Sequence, residues 1–297
     1  MKKCLVYGNC QAMALKGFLN QNPAFAQSYE ILECKPVHLL SQDDLPNLNQ
    51  MLPEVDLLIH QPVSDNYKGI PQLSSRYLRS QLKPSSQALS FSVAYFSGYN
   101  PEMVSPKVKG VTLSKPFNYH DINLMRLYLE GKSITEALKL IRAEDFYSPT
   151  QAEQLLSQTF MNLEKRELAL DIRLSPFIRR YFRQMRLFYT FNHPSSAVLS
   201  YIANCALEAL ELGNDSLDLF SQAEVLDRSY FPIYPALQYI HGLEFDSPQD
   251  YRLEKQPYQA EPLVEMYFRA YEQQQELVAD YVNQQAANTE NLTIGAR

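Results

Sequence analysis

The chain of 297 residues has few cysteines, and their positions exclude two kinds of site. They are Cys4, Cys10, Cys34 and Cys205, and no two of them form a Cys-x-x-Cys arrangement. The cysteines therefore indicate neither a zinc site nor a redox pair. So little cysteine is typical of a reducing compartment, and we expect a cytoplasmic protein.

Long hydrophobic runs are also absent. No segment approaches the roughly 18 apolar residues of a membrane-spanning helix. The start Met1–Lys3 is basic, as in a signal peptide, but the apolar run behind it already ends at Gly8. That run is too short for the hydrophobic part of a signal, so we expect neither a leader nor a membrane span.

Several motifs and an excess of positive charge are missing as well. The sequence has no Gly-x-Gly-x-x-Gly and no phosphate-binding lysine loop, so Rossmann and P-loop nucleotide chemistry lack support. It has no His-Glu-x-x-His motif or carboxylate cluster, so no metal site is predicted. The net charge of -6 does not suggest nucleic-acid binding.

A hydrophobic content of 45% is ordinary for a globular protein with a full core.

Residues 1–115 are predicted to form an α/β core. Runs typical of strands at 5–7, 29–34, 55–59 and 88–93 alternate with helical segments, a pattern that favours a mainly parallel sheet. Residues 116–287 are predicted to form a largely helical half that packs on the core and completes the site. In this half Asp121 can cap a helix, Ser133 and Glu136 form a capping box at the start of the next one, and apolar residues from Leu263 to Tyr281 have the spacing of one long final helix. Residues 214–258 within it are expected to be irregular, and the polar residues 288–297 a disordered tail.

The turn Gly8-Asn9-Cys10-Gln11 is the strongest local signal of a site. Gly8 and Asn9 suit a tight turn after the first strand. Cys10 and Gln11 then begin a helix, where free amide N–H groups and the positive end of the helix dipole gather. A thiol there can have a lowered pKa and act as a nucleophile, and the same amides can bind an oxyanion. The alternative is an ordinary small residue at a strand-to-helix turn.

Two of the five histidines stand out by position. His60 and His193 each end a β-like run and precede a proline within two residues. Pro194 at the first helical position would make His193 the N-cap of a helix. Because ligands bind beyond the carboxyl ends of parallel strands, we expect Cys10 and His60 to share a crevice. A histidine near a cysteine can activate the thiol, and a histidine alone can be a general base; the alternative is a ring that only hydrogen-bonds to the backbone.

A basic stretch follows in the second half of this otherwise acidic chain. It consists of Arg173, Arg179, Arg180, Arg183 and Arg186, of which the second, fourth and fifth are predicted on one helical face. Guanidinium groups bind phosphate bidentately, so this face could hold a phosphorylated cofactor. The alternative is a solvated face balanced by nearby acidic residues.

Four segments together resemble the WcbI family of polysaccharide biosynthesis proteins. They are Tyr7–Gln11, Tyr95–Pro101, Leu163–Glu167 with Asp171, and Thr190–Ser195. The Gly-Asn-Cys-Gln and Asn-His-Pro segments, in this order and spacing, are the specific part. The resemblance extends from residue 3 to about residue 240, and where many relatives carry only glutamine after the third strand, this chain has His60-Gln61.

The resemblance implies an α/β enzyme that binds coenzyme A and acetylates a capsule or surface-polysaccharide sugar, with acetyl-CoA as donor. It places Cys10, Gln11, His60 and His193 around the reaction centre. Gly8 and Asn9 would belong to the cofactor-binding turn, and Arg179, Arg180 and Arg183 are the candidates for its phosphates. The implied partners are a sugar or polysaccharide precursor and a capsule biosynthesis complex.

Several alternatives stay open. Cys10 could carry the acetyl group, or His193 could deprotonate the sugar for direct attack on the thioester. The turn also resembles the nucleophile block of SGNH-type hydrolases with cysteine in place of serine, which implies a glycan esterase or deacetylase. The Asp-x-x-His block of those hydrolases is missing. A third interpretation is a non-catalytic protein that binds coenzyme A or a glycan.

Overall fold

The computed structural model describes residues 1–294, without the side chains of residue 214 and residues 287–294. The strands are β1 Lys2–Tyr7, β2 Tyr29–Ile31, β3 Leu57–His60, β4 Gln87–Ser90, β5 Met103–Val104, β6 Lys107–Val108, β7 Val111–Thr112, β8 His120–Asp121, β9 Phe188–Thr190, β10 His193–Pro194, β11 Tyr251–Leu253 and β12 Gln256–Tyr258. The helices are α1 Cys10–Gln21, α2 Pro23–Ser28, α3 Leu45–Met51, α4 Ser75–Ser80, α5 Ile122–Leu129, α6 Ile134–Ile141, α7 Pro149–Glu167, α8 Ser175–Tyr181, α9 Ser196–Ala209, α10 Pro235–Ile240, α11 Ala260–Gln273 and α12 Gln275–Ile294.

A parallel sheet organises the N-terminal region, as predicted. Its strand order is β2-β1-β3-β4, and Tyr7 lies opposite His60, which in turn lies opposite Ser90. Beyond β4 the edge is extended by Ile172, whose N–H donates to Ser90 O at 2.9 Å, while Phe91 pairs alongside. These apolar segments form strands because their side chains are buried on both faces of the sheet.

The two faces of the sheet follow from the alternation of side chains along each strand. Leu5, Tyr7 and Leu58 share one face, where they belong to a buried apolar cluster with residues of α3 and α4. Val6 and Ile59 alternate with them, are fully buried and belong to the other face. This arrangement leaves the carboxyl ends of β1, β3 and β4 together at one edge.

Packing divides the chain into two units whose boundaries differ from the predicted boundary at residue 115. Unit 1 comprises Met1–Phe96 and Gln158–Asp227, and unit 2 comprises Ser97–Ser157 and the chain from Arg228 onward. The chain returns to unit 1 because Ile172 pairs at the sheet edge and α9 packs against α1. These contacts join residues far apart in sequence.

Unit 2 is mainly helical and has three short antiparallel pairs, β5 with β8, β6 with β7, and β11 with β12. Asp121 caps α5, and Ser133 and Glu136 form the predicted capping box of α6. The prediction of an irregular stretch from 214 to 258 is wrong, because α10 and the β11–β12 hairpin lie in it.

The predicted single C-terminal helix is two helices, since the backbone leaves the helical region at Gln274. The predicted tail boundary at residue 288 lies within α12, and residues 295–297 are outside the described part of the chain, so the tail stays a prediction. Between residues 1 and 294, no helix combines the length and apolar character that crossing a bilayer requires.

Candidate active site

The turn between β1 and α1 has the predicted form. Asn9 is the N-cap of α1, and its Oδ1 accepts from the N–H of Gln11 at 2.9 Å. A side chain on Gly8 would collide with Oε1 of Gln61, so a residue with a Cβ cannot occupy position 8 without displacing that amide. Gly8 therefore meets a steric requirement of this turn and Asn9 a capping one, and together they place Cys10 at the first position of the helix.

The side chain of Gln11 uses its whole hydrogen-bonding capacity inside the protein. Its Nε2 donates to Ala94 O and Asn192 O, both at 2.8 Å. Its Oε1 accepts from Ala94 N at 2.9 Å and from Gln61 Nε2 at 2.8 Å. An amide with both protons and both lone pairs engaged has none left for an oxyanion. Gln11 therefore positions the surrounding loops, and it joins three segments of unit 1 that are distant in sequence.

Gln61 is the residue of this network that sequence reasoning did not select. Besides its bond to Gln11, it accepts from Asn9 N through Oε1 at 2.9 Å. It follows β3 directly, so it reaches the turn from the neighbouring strand. The available signal was its position directly after the third strand of the predicted parallel sheet, at the edge where ligands bind.

Cys10 is half-buried, and the predicted lowering of its pKa is wrong. Burial raises the pKa of the Cys10 thiol, while hydrogen bonds from the backbone N–H groups of Gln11 and Cys10 counteract part of that rise. The start of a helix does supply the expected amides, but removal of the thiol from water has the larger effect. The resting group is a neutral thiol beside two backbone donors.

His193 lies next to the Gln11 network, but it does not cap a helix. It pairs with Thr190 across the β9–β10 ladder, and Ser195 N still donates to Leu187 O at 2.8 Å. Because this pairing continues to residue 195, α9 begins only at Ser196 and Ser195 is its N-cap. The predicted N-cap role is therefore wrong. The connection to the turn is through the preceding residue, Asn192, whose carbonyl accepts from Gln11.

His60 ends β3 as expected, but its side chain is on the face of Tyr7 and Leu58. It is only 3% exposed. Its Nδ1 is 3.1 Å from Gln61 O, and its Nε2 has no hydrogen-bond partner among the described residues. Burial lowers the pKa of His60, which favours the neutral ring. The structure thus places Gln61, rather than His60, in contact with the turn.

The basic stretch does not form one helical face. Helix α8 ends at Tyr181, so Arg183 and Arg186 lie beyond it, and that prediction is wrong. Arg179 pairs with Glu164 at 2.7 Å, which is the balanced arrangement that was the alternative for this stretch.

Three guanidinium groups of the stretch lie near aromatic rings. The Arg179 guanidinium lies 4.1 Å from the ring centroid of Phe160, Arg180 is 5.2 Å from that of Tyr181, and Arg183 is 4.9 Å from that of Phe182. Arg179, Arg180 and Arg183 are exposed to solvent, so all three can still reach an anion.

Two acidic residues, one in the segment 163–167 and one at position 171, hold backbone groups in place. Both carboxylate oxygens of Glu167 accept at the start of α8, from Leu174 N at 2.7 Å and Ser175 N at 3.1 Å. Asp171 accepts from the N–H and the hydroxyl of Ser90 at 2.7 and 2.6 Å. Within residues 1–294, no cluster of three or more histidine, cysteine or acidic side chains could hold a metal ion.

Two comparisons with known proteins found a match. Residues 3–215 match the family model described as polysaccharide biosynthesis enzyme WcbI. A solved structure of WcbI, described as a novel polysaccharide biosynthesis enzyme in its native form without a disulfide bond between coenzyme A and one of its cysteines, has 29% sequence identity and a TM-score of 0.85. The match covers 97% of this chain and 95% of that one. No protein of curated function matches the sequence.

Proposed function

The chain belongs to the WcbI family of polysaccharide biosynthesis enzymes, and from this premise we propose that it is an acetyl-CoA-dependent O-acetyltransferase. Its acceptor is a sugar of a capsule or surface polysaccharide, and it acts in the cytoplasm, in association with a capsule biosynthesis complex. The observation that carries the proposal is the position of Cys10, a half-buried thiol at the start of α1 in the Gly-Asn-Cys-Gln turn.

Coenzyme A enters the proposal through the WcbI relative, whose description places coenzyme A together with a cysteine. We assign Cys10 to the corresponding position. A thioester next to Cys10 would have its carbonyl near the backbone N–H of Cys10, since the N–H of Gln11 already donates to Asn9 Oδ1. Such donors stabilise the oxyanion that develops during acyl transfer. The exposed Arg179, Arg180 and Arg183 are the proposed phosphate contacts, with Gly8 and Asn9 in the turn beside the thioester.

Direct transfer is the mechanism that the charge state of Cys10 favours. The sugar hydroxyl loses its proton to His193 as its oxygen bonds to the acetyl carbon. The bond from that carbon to the coenzyme A sulfur breaks, and His193 returns the proton to the departing thiolate. The covalent route would first require His193 to deprotonate a thiol whose pKa burial has raised.

The test combines calorimetry with acetyl-CoA turnover on polysaccharide precursors. We expect coenzyme A to bind with micromolar affinity, about -8 kcal/mol. Cys10→Ala should keep measurable turnover if transfer is direct and lose it if Cys10 carries the acetyl group; Cys205→Ala is the matched control. The absence of binding at millimolar coenzyme A would refute the proposal.

The phosphate contacts have their own test. Replacement of Arg179, Arg180 and Arg183 together by alanine should weaken coenzyme A binding, because charge-assisted contacts are lost. Arg269→Ala is the control, because Arg269 is an exposed arginine of unit 2 that pairs with its helix neighbour Glu265. Unchanged affinity in the triple variant refutes this assignment alone. Acetate release from an acetylated glycan without coenzyme A would indicate the esterase, and binding without turnover a non-catalytic protein.

A further inference from the structure

The start of α9 is covered by an irregular segment of the same unit, residues 218–227, which we call the strap. Ser196 N donates to Oε2 of Glu224 at 2.7 Å, and Ser196 Oγ donates to Ala223 O at 2.7 Å. Tyr189 also hydrogen-bonds to Glu224. A carboxylate of the strap thus occupies the end of a 14-residue helix where free amides and the helix dipole favour an anion.

A second polar group at this helix start has no partner. Ser195 is the N-cap of α9, yet its hydroxyl makes no capping hydrogen bond. The residue is 2% exposed, and its Oγ is without a partner among the described residues. A buried hydroxyl left unpaired costs about 1–3 kcal/mol. The Glu224 carboxylate therefore fills the site without using all of its donors.

The strap is anchored to α9 just before its first residue and again through Ala223 and Glu224, and its side chains are all exposed or only half-buried. Asn204 of α9 makes two hydrogen bonds with the backbone of Leu217, at 2.9 and 2.8 Å. Farther along, Glu224 is exposed, Phe220 is 54% exposed and Val225 is 48% exposed. With so little apolar surface buried, displacement of the strap would cost little hydrophobic free energy.

We propose that the start of α9 is a binding site for a phosphoryl group, which displaces Glu224 and the strap around it. A phosphoryl group has three oxygens where the carboxylate has two. It can accept from Ser196 N, as Glu224 does, and also from the hydroxyls of Ser195 and Tyr189. Burial and then the Glu224 charge raise the pKa of Tyr189, which keeps that hydroxyl protonated as a donor. The phosphoryl group can come from coenzyme A or from a phosphorylated or nucleotide-linked sugar.

The first test is calorimetric titration with inorganic pyrophosphate at low ionic strength. Glu224→Ala should bind it at least tenfold more tightly than the wild type, because no carboxylate has to be displaced. Glu224→Gln should lie between them, and Glu211→Gln, an exposed carboxylate outside the strap, should match the wild type. Adding Ser195→Ala to Glu224→Ala should weaken binding several-fold. Equal affinities of the wild type and Glu224→Ala, or no loss on Ser195→Ala, would overturn the proposal.

The second arm identifies the source of the phosphoryl group. Coenzyme A, dephospho-coenzyme A and UDP-glucose are compared on the wild type and Glu224→Ala, with proteolytic cleavage of the strap as a readout besides heat. Tighter binding in Glu224→Ala together with faster cleavage identifies the ligand that enters the site. The site rests on the acetyltransferase proposal only if that ligand is coenzyme A. If pyrophosphate binds as expected but coenzyme A gives no heat, the acetyltransferase proposal fails and this site stands. If coenzyme A binds equally to both variants and pyrophosphate does too, this site fails and the acetyltransferase proposal stands.

Discussion

The two units satisfy their buried polar groups to different degrees. In unit 1 the buried carboxylate of Glu167 has both oxygens hydrogen-bonded to backbone N–H groups. Unit 1 also buries the amides of Gln11 and Gln61, which are neutral and hydrogen-bonded to each other and to the backbone. Unit 2 buries two carboxyl groups, Glu102 and Asp121, each 2% exposed. An amide network holds loops in place with no dependence on pH. A buried pair of acids makes folding depend on pH, because removal from water disfavours their charge.

The two buried acids of unit 2 differ in the number of hydrogen bonds that they accept. Asp121 accepts from Asn123 N at 2.8 Å as the cap of α5, and from the hydroxyl of Tyr234 at 2.6 Å. Glu102 accepts from Asn100 Nδ2 at 3.0 Å, but its Oε2 has no partner among the described residues. Burial, and then the charge of Asp121, raises the pKa of Glu102 well above its usual value. Glu102 is therefore the member of the pair that holds a proton.

The largest expected effect is on kcat, and it distinguishes a histidine of unit 1 from a histidine of unit 2. His193→Ala should lower kcat by about 10²–10⁴-fold, roughly 3–5 kcal/mol of barrier, because the proposed general base is lost. Thermal stability should change little, since His193 is only half-buried. Steady-state kinetics and thermal unfolding on the same samples make the measurement.

The matched variant is His120→Ala in unit 2. His120 is fully buried, and its ring nitrogens lie 3.2 Å from the Tyr271 hydroxyl and 3.0 Å from Leu113 O. Its loss should destabilise the protein by about 3 kcal/mol, the cost of a cavity and of unpaired groups. If His193→Ala instead destabilised the protein as much and left turnover per folded molecule intact, His193 would be structural. His193→Asn should stay inactive, because Ser195 already caps α9.

The next largest effect is on stability, and it is expected when a substitution breaks the amide network of unit 1. Gln11→Ala should lower the free energy of unfolding of this unit by about 3 kcal/mol, because the N–H and carbonyl of Ala94 and the Asn192 carbonyl lose their partner. Gln21→Ala, an exposed glutamine at the end of the same helix, is the control. Hydrogen exchange in urea, followed for peptides of each unit, should locate the loss in unit 1. A loss below about 1 kcal/mol would mean that water replaces the amide easily.

The smallest effect concerns the pH dependence of unit 2. The folded pKa of Glu102 is raised above the ordinary value of 4.5, so the stability of the wild type falls as pH rises from there through the folded pKa. Glu102→Gln cannot ionise, and its stability relative to the wild type should increase between pH 5 and pH 8. The gain should grow as the pH rises, because only the wild-type carboxyl has to ionise in a buried site.

Subtracting the stability of the wild type from that of Glu102→Gln at each pH removes the contribution of His120 to the pH dependence, because both proteins contain His120. Burial lowers the pKa of His120 to about 4, so that residue acts in the opposite sense and reduces stability as pH falls below 6.5. Hydrogen exchange of peptides from residues 97–130 is the readout, and peptides of α1 serve as the comparison. A wild type and a Glu102→Gln variant with parallel pH profiles would show that Glu102 is not the proton holder.

Local patterns predicted what depends on neighbours in sequence. The parallel sheet, the start of α1 at Cys10, the cap by Asp121 and the capping box of Ser133 and Glu136 are confirmed. Each of these depends on apolar runs, turn residues or a side chain that reaches a backbone N–H two or three residues away. The N-cap at His193 failed, because the ladder between β9 and β10 competes with the helix for the same residues.

Contacts between distant segments decided the rest. That Gln61 rather than His60 meets the turn depends on which side of β3 faces the neighbouring loop, and the sequence alone does not carry that information. Three further features join residues that are distant in sequence or separated by irregular chain. They are the return of the chain to unit 1 at residue 158, the hydrogen bond from Gln11 to Asn192, and the bond from the start of α9 to the Glu224 carboxylate. The sequence by itself determined the parallel sheet, the caps of α5 and α6 and the thiol at the start of α1. Only the tertiary structure determined the pKa of that thiol, because burial depends on what the whole unit packs around it.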